Sequence, residues 1–472
     1  GEDAMKNAYL SRYGADGKWT PTPPVREGIC QVVVIPALAE SGSLFHTLAS
    51  LAANPPEERS RTAILVVVNN RGEKTAKPEE WEDNRRTLQV LRALSAGQAP
   101  PRGLLDGPSE AAATGLPGLL NLAVVDAASP GLELPEKTGG VGLARKIGLD
   151  RALGILSSRQ GEKALLFCLD ADTLVERNYL SSVRGFFTKR GPGAGVVHFR
   201  HRRTGNEEER RAIVCYEIFL RYYVLGLKHA RSPHAFHTVG STMVCTPEAY
   251  VAVRGMNRRK GGEDFYFLNK LAKVTAVGDI RATTVYPAAR PSRRVPFGTG
   301  RRVARFIEDG QNEYVLYDPR IFFLIRSWLR TVGENSGEND RDLLARAGDI
   351  HPDLEQFLRE RGFPGVWAKI GENAKNQRQR LSQFHGWFDG FETFKLIRFL
   401  SREAFPLLPM FQALQTFLHR PDTPLPPFDV QAPVPPLDIQ EEILAVMERL
   451  EGEPFSGTVE GEPVDPSSAF VL

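Results

Sequence analysis

Apolar runs of strand length alternate with helical patterns between residues 29 and 190. The runs "ICQVVVIPALAE", "TAILVVVNN", "LLNLAVVDA" and "KALLFCLD" begin at residues 29, 62, 119 and 163. Segments such as "SLFHTLASLAAN" and "GVGLARKIGLDRAL" stand between them, with apolar residues at helical spacing. Strands that are buried on both faces and separated by helices are typical of parallel sheets. The pattern therefore predicts an α/β fold, a mostly parallel sheet flanked by helices.

The pattern changes beyond residue 305, where apolar residues recur at helical spacing only. "FFLIRSWLRTV", "LEQFLRERG" and "FETFKLIRFLSREAF" are examples. The proline-rich stretch "PDTPLPPFDVQAPVPP" then predicts an extended linker, and a short amphipathic helix follows it. The predicted organisation is a leader over 1–28, an α/β domain over 29–305, a mainly helical domain over 306–420, and a linker, short helix and tail over 421–472.

Composition narrows the class of protein. The 472 residues, 42% of them hydrophobic, are enough for two or three globular units. A net charge of +3, from 60 basic and 57 acidic residues, predicts no nucleic-acid partner. Four cysteines without metal-binding spacing favour a reducing compartment, and no apolar run reaches 18 residues. We expect a cytoplasmic protein without a transmembrane segment. Peripheral membrane contact through "FETFKLIRFLSREAFPLLPMF" is not favoured, because Pro406 and Pro409 interrupt the helical pattern.

Acidic residues stand at two places where a sheet of this kind binds ligands. Asp170 and Asp172 directly follow the fourth apolar run, and the carboxyl ends of parallel strands line the ligand crevice. Two carboxylates at a strand end suit Mg²⁺ or Mn²⁺ shared with a diphosphate, although a solvated turn explains the triplet equally simply. Glu263 and Asp264 precede a predicted helix, where acids serve either as favourable first-turn residues or as a general base.

Six segments in fixed order give this chain its likeness to a known family. They are "VVVIPALAE", "VVVNN", "GGVGLARKIGLDRAL", "LLFCLDADT", "VGSTMVCTPEAYVAVRGM" and "GGEDFYFLNKL". Together they resemble glycosyltransferase family 2, nucleotide-sugar-dependent enzymes of the GT-A fold, over residues 29 to 305. The resemblance implies a Rossmann-like GT-A domain that moves a sugar from a nucleotide-diphosphate sugar to an acceptor hydroxyl, with inversion and with Mn²⁺ or Mg²⁺.

The same resemblance implies roles for individual residues. Asp264, beside Glu263, matches the catalytic base; Asp172 matches the metal ligand, and Asp170 faces the ribose or the shell of the ion. The implied contacts to the nucleotide sugar are Pro36, Ala37, Glu40, Asn69, Arg145, Asp170, Arg294 and Arg301. The two last belong to a basic stretch, residues 289–305, that is interpreted as a loop closing over the diphosphate; an exposed basic linker is the alternative.

Two departures from the family pattern keep other functions open. Asn69 and Asn70 stand where the family commonly has two aspartates, and no histidine follows the "ED" helix as a third metal ligand. The alternatives are a retaining GT-A transferase that acts on a small acid, and a non-catalytic protein that binds nucleotide sugars or acts as a scaffold. The donor, the acceptor and the oligomeric state are not encoded in any motif.

Overall fold

The computed structural model describes residues 1–72, 74–159, 161–289, 299–419, 424–431 and 434–453. These residues form two compact units. The first contains Gly1–Arg202 and Thr238–Ala289; the second contains Arg203–His237 and the described residues from Thr299 onward.

The first unit is built on a sheet to which nine strands of the described chain contribute. The strands are β1 (Pro21–Thr22), β2 (Gln31–Ala37), β3 (Thr62–Asn69), β4 (Asn121–Ala127), β5 (Leu165–Cys168), β6 (Leu174–Val175), β7 (Ala194–Phe199), β8 (Met243–Cys245) and β9 (Val277–Tyr286). Their order is β1-β4-β3-β2-β5-β8-β7-β9-β6. The pairings give β2, β3, β4, β5, β7 and β9 one direction and β1, β6 and β8 the other. The four predicted strands are β2 to β5, and the predicted α/β class with a mostly parallel sheet is confirmed.

Helices of the first unit connect and flank the strands. They are α1 (Glu2–Tyr13), α2 (Leu44–Ala52), α3 (Pro56–Arg59), α4 (Pro78–Ser95), α5 (Gly107–Thr114), α6 (Val141–Ile155) and α7 (Tyr179–Arg190). After α8, which belongs to the second unit, come α9 (Pro247–Ala252) and α10 (Glu263–Leu271). The helices α2, α4 and α6 follow the strands β2, β3 and β4 in turn, as expected for parallel neighbours that need a crossover.

The second unit is mainly helical, as the sequence pattern predicts for the C-terminal region. It contains α8 (Glu207–His229), α11 (Thr299–Asp309), α12 (Pro319–Glu334), α13 (Asp340–Ile350), α14 (Pro352–Glu360), α15 (Phe363–Asn373), α16 (Gln377–Trp387), α17 (Gly390–Glu403), α18 (Met410–Leu418) and α19 (Leu437–Gly452). A two-residue ladder joins β10 (Val315–Leu316) to β11 (Leu408–Pro409). Within the described residues, no helix has the length and apolarity to cross a bilayer.

Buried charges hold α8 and α19 together inside the second unit. The Arg221 side chain is fully buried, and its Nη1 donates to Glu451 Oε2 at 2.8 Å. His237 Nε2 lies 2.7 Å from Glu451 Oε1, and Lys228 Nζ donates to the Glu451 carbonyl at 2.7 Å. Removing one partner of such a buried pair leaves an uncompensated charge. The short C-terminal helix of the sequence prediction is therefore an anchored part of this unit.

Close packing of α6 on the sheet depends on Gly148. A Cβ at this position would lie 2.2 Å from Val34 Cγ1 of β2 and 2.9 Å from Val67 Cγ2 of β3. Both distances are far inside van der Waals contact, so the helix reaches this depth only because residue 148 has no side chain.

We expect Gly148→Ala to destabilise the protein by about 1–3 kcal/mol, because the extra methyl overpacks the contact between helix and sheet. Gly154→Ala on the same helix is the matched control. Its Cβ would meet only Leu10 Cδ1 at 3.6 Å. This control is expected to be neutral or to stabilise by up to about 1 kcal/mol through helix propensity. Urea denaturation of both variants measures the difference; equal effects would contradict the packing argument.

Candidate active site

The candidate site lies at the carboxyl edge of the sheet, between β2 and β5. The chain runs from β2 to β3 to β4 on one side of β2, and then crosses back to place β5 on the other side. The loops that follow β2 and β5 therefore leave in opposite directions and open a crevice, which is where open α/β sheets bind ligands. The loop after β2 contains Glu40, and the loop after β5 contains Asp170 and Asp172.

A short turn after β5 fixes the backbone of the two aspartates. The Thr173 N–H donates to the Asp170 carbonyl at 3.2 Å, which closes the turn. The Asp170 N–H donates to Ser241 Oγ at 3.2 Å, and Thr173 Oγ1 lies 2.7 Å from the same oxygen. Ser241 is buried, and it is a site residue that sequence reasoning did not single out, although its segment "VGSTMVC" is part of the family likeness.

Two further side chains hold this turn through its carbonyl oxygens. Thr47 Oγ1, on α2, donates to the Ala171 carbonyl at 2.9 Å. Arg202 Nη2 donates to the Asp172 carbonyl at 2.6 Å. Neither residue carries a motif that would have identified it from the sequence. Because several side chains anchor the turn, the backbone positions from which the two aspartate side chains extend are well defined.

Arg145, buried on α6, links the two predicted acidic motifs. Its Nη2 donates to Asp170 Oδ1 at 2.6 Å and its Nε donates to Glu263 Oε1 at 3.1 Å. The arginine side chain is only 3% exposed. Burial by itself lowers the pKa of Arg145, but the charges of Asp170 and Glu263 outweigh burial and raise it above the ordinary value. Asp170 and Glu263 are 93 positions apart in sequence and share one guanidinium group.

A glycine contact brings the start of α6 against the loop that precedes α10. The Gly142 N–H donates to the Arg259 carbonyl at 3.0 Å. A Cβ on Gly142 would lie 2.3 Å from that oxygen, so this approach requires glycine. The loop then enters α10 through Gly262, whose φ of 69° is a left-handed conformation. Glu263 and Asp264 occupy the first turn of α10, as predicted.

A buried polar cluster fixes the middle of α6 from the other side. Asp150 Oδ1 accepts from the hydroxyls of Tyr9 at 2.8 Å and Tyr250 at 2.6 Å. Asp150 Oδ2 accepts from Lys146 Nζ at 2.9 Å and from the Ala15 N–H at 2.9 Å. Tyr9 belongs to α1, so the polar N-terminal segment packs on the helix that carries Arg145. A buried polar network whose groups are all hydrogen-bonded makes the structure rigid, so it fixes the position of this helix.

Asp264 is a half-buried carboxyl group with a raised pKa. Removal from water raises the pKa, and the negative charge of Glu263 raises it further, while Arg145 lowers it. The net effect raises the pKa of Asp264 to about 7. The Phe265 N–H donates to Asp264 Oδ1 at 2.8 Å. A carboxylate of this basicity can accept a proton at neutral pH.

The remaining predicted residues differ in how they are placed. Pro36 and Ala37 end β2, and Glu40 is half-buried in the loop after it. Asn69 ends β3 and is buried; its amide donates to the carbonyls of Ala37 at 3.2 Å and Val67 at 3.3 Å.

Two predicted contacts cannot be placed in the same way. Arg294 lies outside the described residues. Arg301 falls within α11, and its side chain is outside the described part.

The two aspartates after β5 suit a hard divalent cation. No described residue donates to Asp170 Oδ2, and the side chain of Asp170 is 36% exposed. Among the described residues, no group of three His, Cys, Asp or Glu side chains is arranged to hold an ion. Mg²⁺ and Mn²⁺ are commonly held by one or two carboxylates and completed by phosphate and water. Asp170 and Asp172 therefore fit an ion that arrives with a phosphate-bearing ligand.

Comparison with known proteins gives similar solved structures only. S. aureus TarS 1–349 in complex with UDP-GlcNAc is 11% identical, with 70% of this chain and 92% of that chain covered and a TM-score of 0.35. A mannosyltransferase from Pyrobaculum calidifontis in complex with GDP-Man and Mn²⁺ is 14% identical, with 96% and 94% covered and a TM-score of 0.36. A scan against protein-family models gives no match, and a search of the curated proteins gives none either.

We expect Asp264→Asn to stabilise the protein at and above pH 7. Because the folded pKa lies above the ordinary value of 3.8, the unfolded chain ionises first, and the wild type loses stability between about pH 4 and pH 7. Asparagine avoids this loss and keeps the acceptor for the Phe265 N–H. The gain is about 1–3 kcal/mol above pH 7, the usual cost of an uncompensated buried polar group, and none below about pH 4.

The neighbouring acid provides the control with opposite sign. Glu263→Gln should destabilise the protein by about 1–3 kcal/mol at neutral pH, because Arg145 loses one of two carboxylate partners. Urea denaturation at a series of pH values measures both variants. A pH-independent difference for Asp264→Asn would contradict the raised pKa.

Proposed function

We propose that this protein is a metal-dependent glycosyltransferase with a GT-A domain, similar to family 2, that moves a sugar from a nucleotide-diphosphate sugar to an acceptor hydroxyl with inversion. One observation carries the proposal. Buried Arg145 gathers the aspartate turn after β5 and the acidic start of α10 at the β2–β5 crevice. This arrangement supports a site that combines a phosphate-binding end with a basic carboxylate.

The phosphate-binding end is supported by an unsatisfied donor. Arg145 Nη1 is buried and has no hydrogen-bond partner among the described residues. Buried polar groups are almost always hydrogen-bonded, and a guanidinium donor without a partner at a ligand crevice favours an anionic ligand. A diphosphate supplies the oxygens that this donor needs, and Asp170 on the same guanidinium keeps the arginine from swinging away.

Asp264 is the proposed general base. It accepts the proton of the acceptor hydroxyl, and the acceptor oxygen forms its bond to the anomeric carbon while the bond from that carbon to the diphosphate oxygen breaks. The nucleoside diphosphate leaves on the opposite face. Glu263 takes no proton in this scheme. Its ion pair with Arg145 holds the first turn of α10, and its charge keeps Asp264 basic enough for proton transfer.

Asp172 and Asp170 are the proposed ligands of Mn²⁺ or Mg²⁺. When bound, the ion supplies positive charge to the departing diphosphate. Hydrogen bonds to Ser241 and Arg202 fix the backbone of the two aspartates, so their carboxylates would hold the ion at a defined position.

The non-catalytic alternative has one supporting observation. Asn69, which stands where the family commonly has an acid, uses its amide for bonds to the backbone. Hydrolysis of a nucleotide sugar in the presence of Mn²⁺ separates an enzyme from a binding protein. The anomeric configuration of a transfer product separates inversion from retention.

We expect Asp264→Asn to lower kcat by about 10²–10⁴, the usual contribution of a positioned general base, while donor affinity stays within about twofold. The measurement is steady-state transfer together with calorimetric titration of the donor. Asp279→Asn, at a half-buried aspartate on β9, is the matched control and should keep wild-type turnover. Full turnover by Asp264→Asn would refute the base assignment.

We expect Asp172→Asn to remove the metal dependence of nucleotide binding. UDP, GDP, ADP, CDP and TDP are titrated by calorimetry with Mn²⁺ and again with EDTA. The wild type should bind one of them at least about tenfold more tightly with Mn²⁺, which corresponds to about 1.4 kcal/mol. The variant should show the same weak affinity in both buffers. A Mn²⁺ effect of unchanged size in the variant would exclude Asp172 as a ligand.

A further inference from the structure

Two consecutive residues of α4 hold the loop that follows β2. Asp83 accepts from Ser41 twice, at 3.1 Å from the backbone N–H and at 2.6 Å from the hydroxyl. Asn84 Oδ1 accepts from the Ala39 N–H at 3.0 Å. All three bonds reach the segment that carries Glu40. The loop is thus attached to a helix that begins 38 positions after Glu40 in the chain.

Ala39 adopts a backbone conformation that alanine disfavours. Its φ is 53°, in the left-handed region where a Cβ meets the following carbonyl. Such a residue keeps this conformation only when its surroundings hold it there. The hydrogen bond from the Ala39 N–H to Asn84 supplies such a hold.

Asn84 also contacts the end of the neighbouring strand. Its side chain is buried, and Nδ2 donates to the Asn69 carbonyl at 2.9 Å and to Asn70 Oδ1. Asn70 Nδ2 in turn donates to the Ala128 carbonyl, just after β4, at 3.1 Å. A chain of side-chain amides therefore joins the ends of β2, β3 and β4. The amide pair that replaces the two expected acids has a definite structural role.

We propose that Asn84 is a positioning residue for donor binding, which holds the loop of residues 38–41 in its binding conformation before the nucleotide arrives. This inference rests on the proposed function, in which that loop contacts the nucleotide. Pre-set loops increase affinity because ligand binding then orders less of the chain. The role of Asn84 is confined to donor binding, since it touches none of the groups that transfer the proton.

The test is Asn84→Ala, titrated by calorimetry with UDP, GDP, ADP, CDP and TDP in the presence of Mn²⁺. We expect binding about tenfold weaker than in the wild type, the factor that matches about 1.4 kcal/mol. In steady-state transfer, KM for the donor should rise by the same factor, while kcat stays within about twofold.

Asn54→Ala is the matched control. Asn54 is equally buried, and its side chain also makes three hydrogen bonds, all of them to backbone groups, those of Ser50, Glu176 and Leu180. Loss of the Asn54 side chain should lower the melting temperature without changing nucleotide affinity.

Ser41→Ala, which removes only the hydroxyl bond to Asp83, is the test variant if Asn84→Ala does not fold. This variant should weaken binding about threefold, in line with one modest hydrogen bond.

Rescue separates positioning from general damage. Ala39→Gly in the Asn84→Ala background should recover about threefold of the lost affinity, because glycine adopts the left-handed conformation without a Cβ clash. Unchanged affinity in Asn84→Ala, or equal losses in the Asn84 and Asn54 variants without rescue, would overturn the inference while leaving the proposed function standing. A wild-type protein that binds none of the five diphosphates would overturn both.

Discussion

The structure of the candidate site depends on one buried positive charge. Asp170 comes from the end of β5 and Glu263 from the start of α10, and both carboxylates bind the guanidinium of Arg145. Without that cation, acids gathered at one sheet edge would repel each other in a medium that screens poorly. The arginine compensates the two acids that it touches, whereas the neighbouring Asp264 has a raised pKa because it is removed from water and lies beside the charge of Glu263. The ion pairs therefore account for the assembly of the site, while burial and the charge of Glu263 account for the basicity of Asp264.

Arg145 can do this because its helix has little freedom to move. Gly148 allows α6 to settle against β2 and β3, and Gly142 lets the helix start approach the Arg259 carbonyl. The cluster around Asp150 fixes the same helix through α1 and α9. Charged groups held on rigid elements are more exactly placed than groups on loops. The turn with Asp170 and Asp172, although a loop, gains comparable definition from its bonds to neighbouring side chains.

Much of the fold could be predicted because its signals are local. Four continuous apolar runs marked β2 to β5. The placement of the acids that follow strand ends at the carboxyl edge of the sheet followed from the parallel direction of those strands. Other features had no local signal. Helix α8 stands between segments of the α/β unit in sequence, yet it packs with α19 through Arg221 and Glu451. The bonds of the Asn69 and Asn70 amides to carbonyls at the ends of the neighbouring strands had no such signal either. Thr47 and Arg202 carry no motif at all.

The sequence by itself determined the class of fold, the strand ends and the acidic residues that could do chemistry. Hydrophobic periodicity and residue type involve only residues that are close in sequence, so the sequence alone shows them. Only the tertiary structure decided which acids share Arg145, which neighbouring acid has a raised pKa, and which amides support the loop after β2. Those properties depend on distances and burial between segments far apart in sequence. Solvation and charge pairing are set by the folded neighbourhood and by no single stretch of the chain.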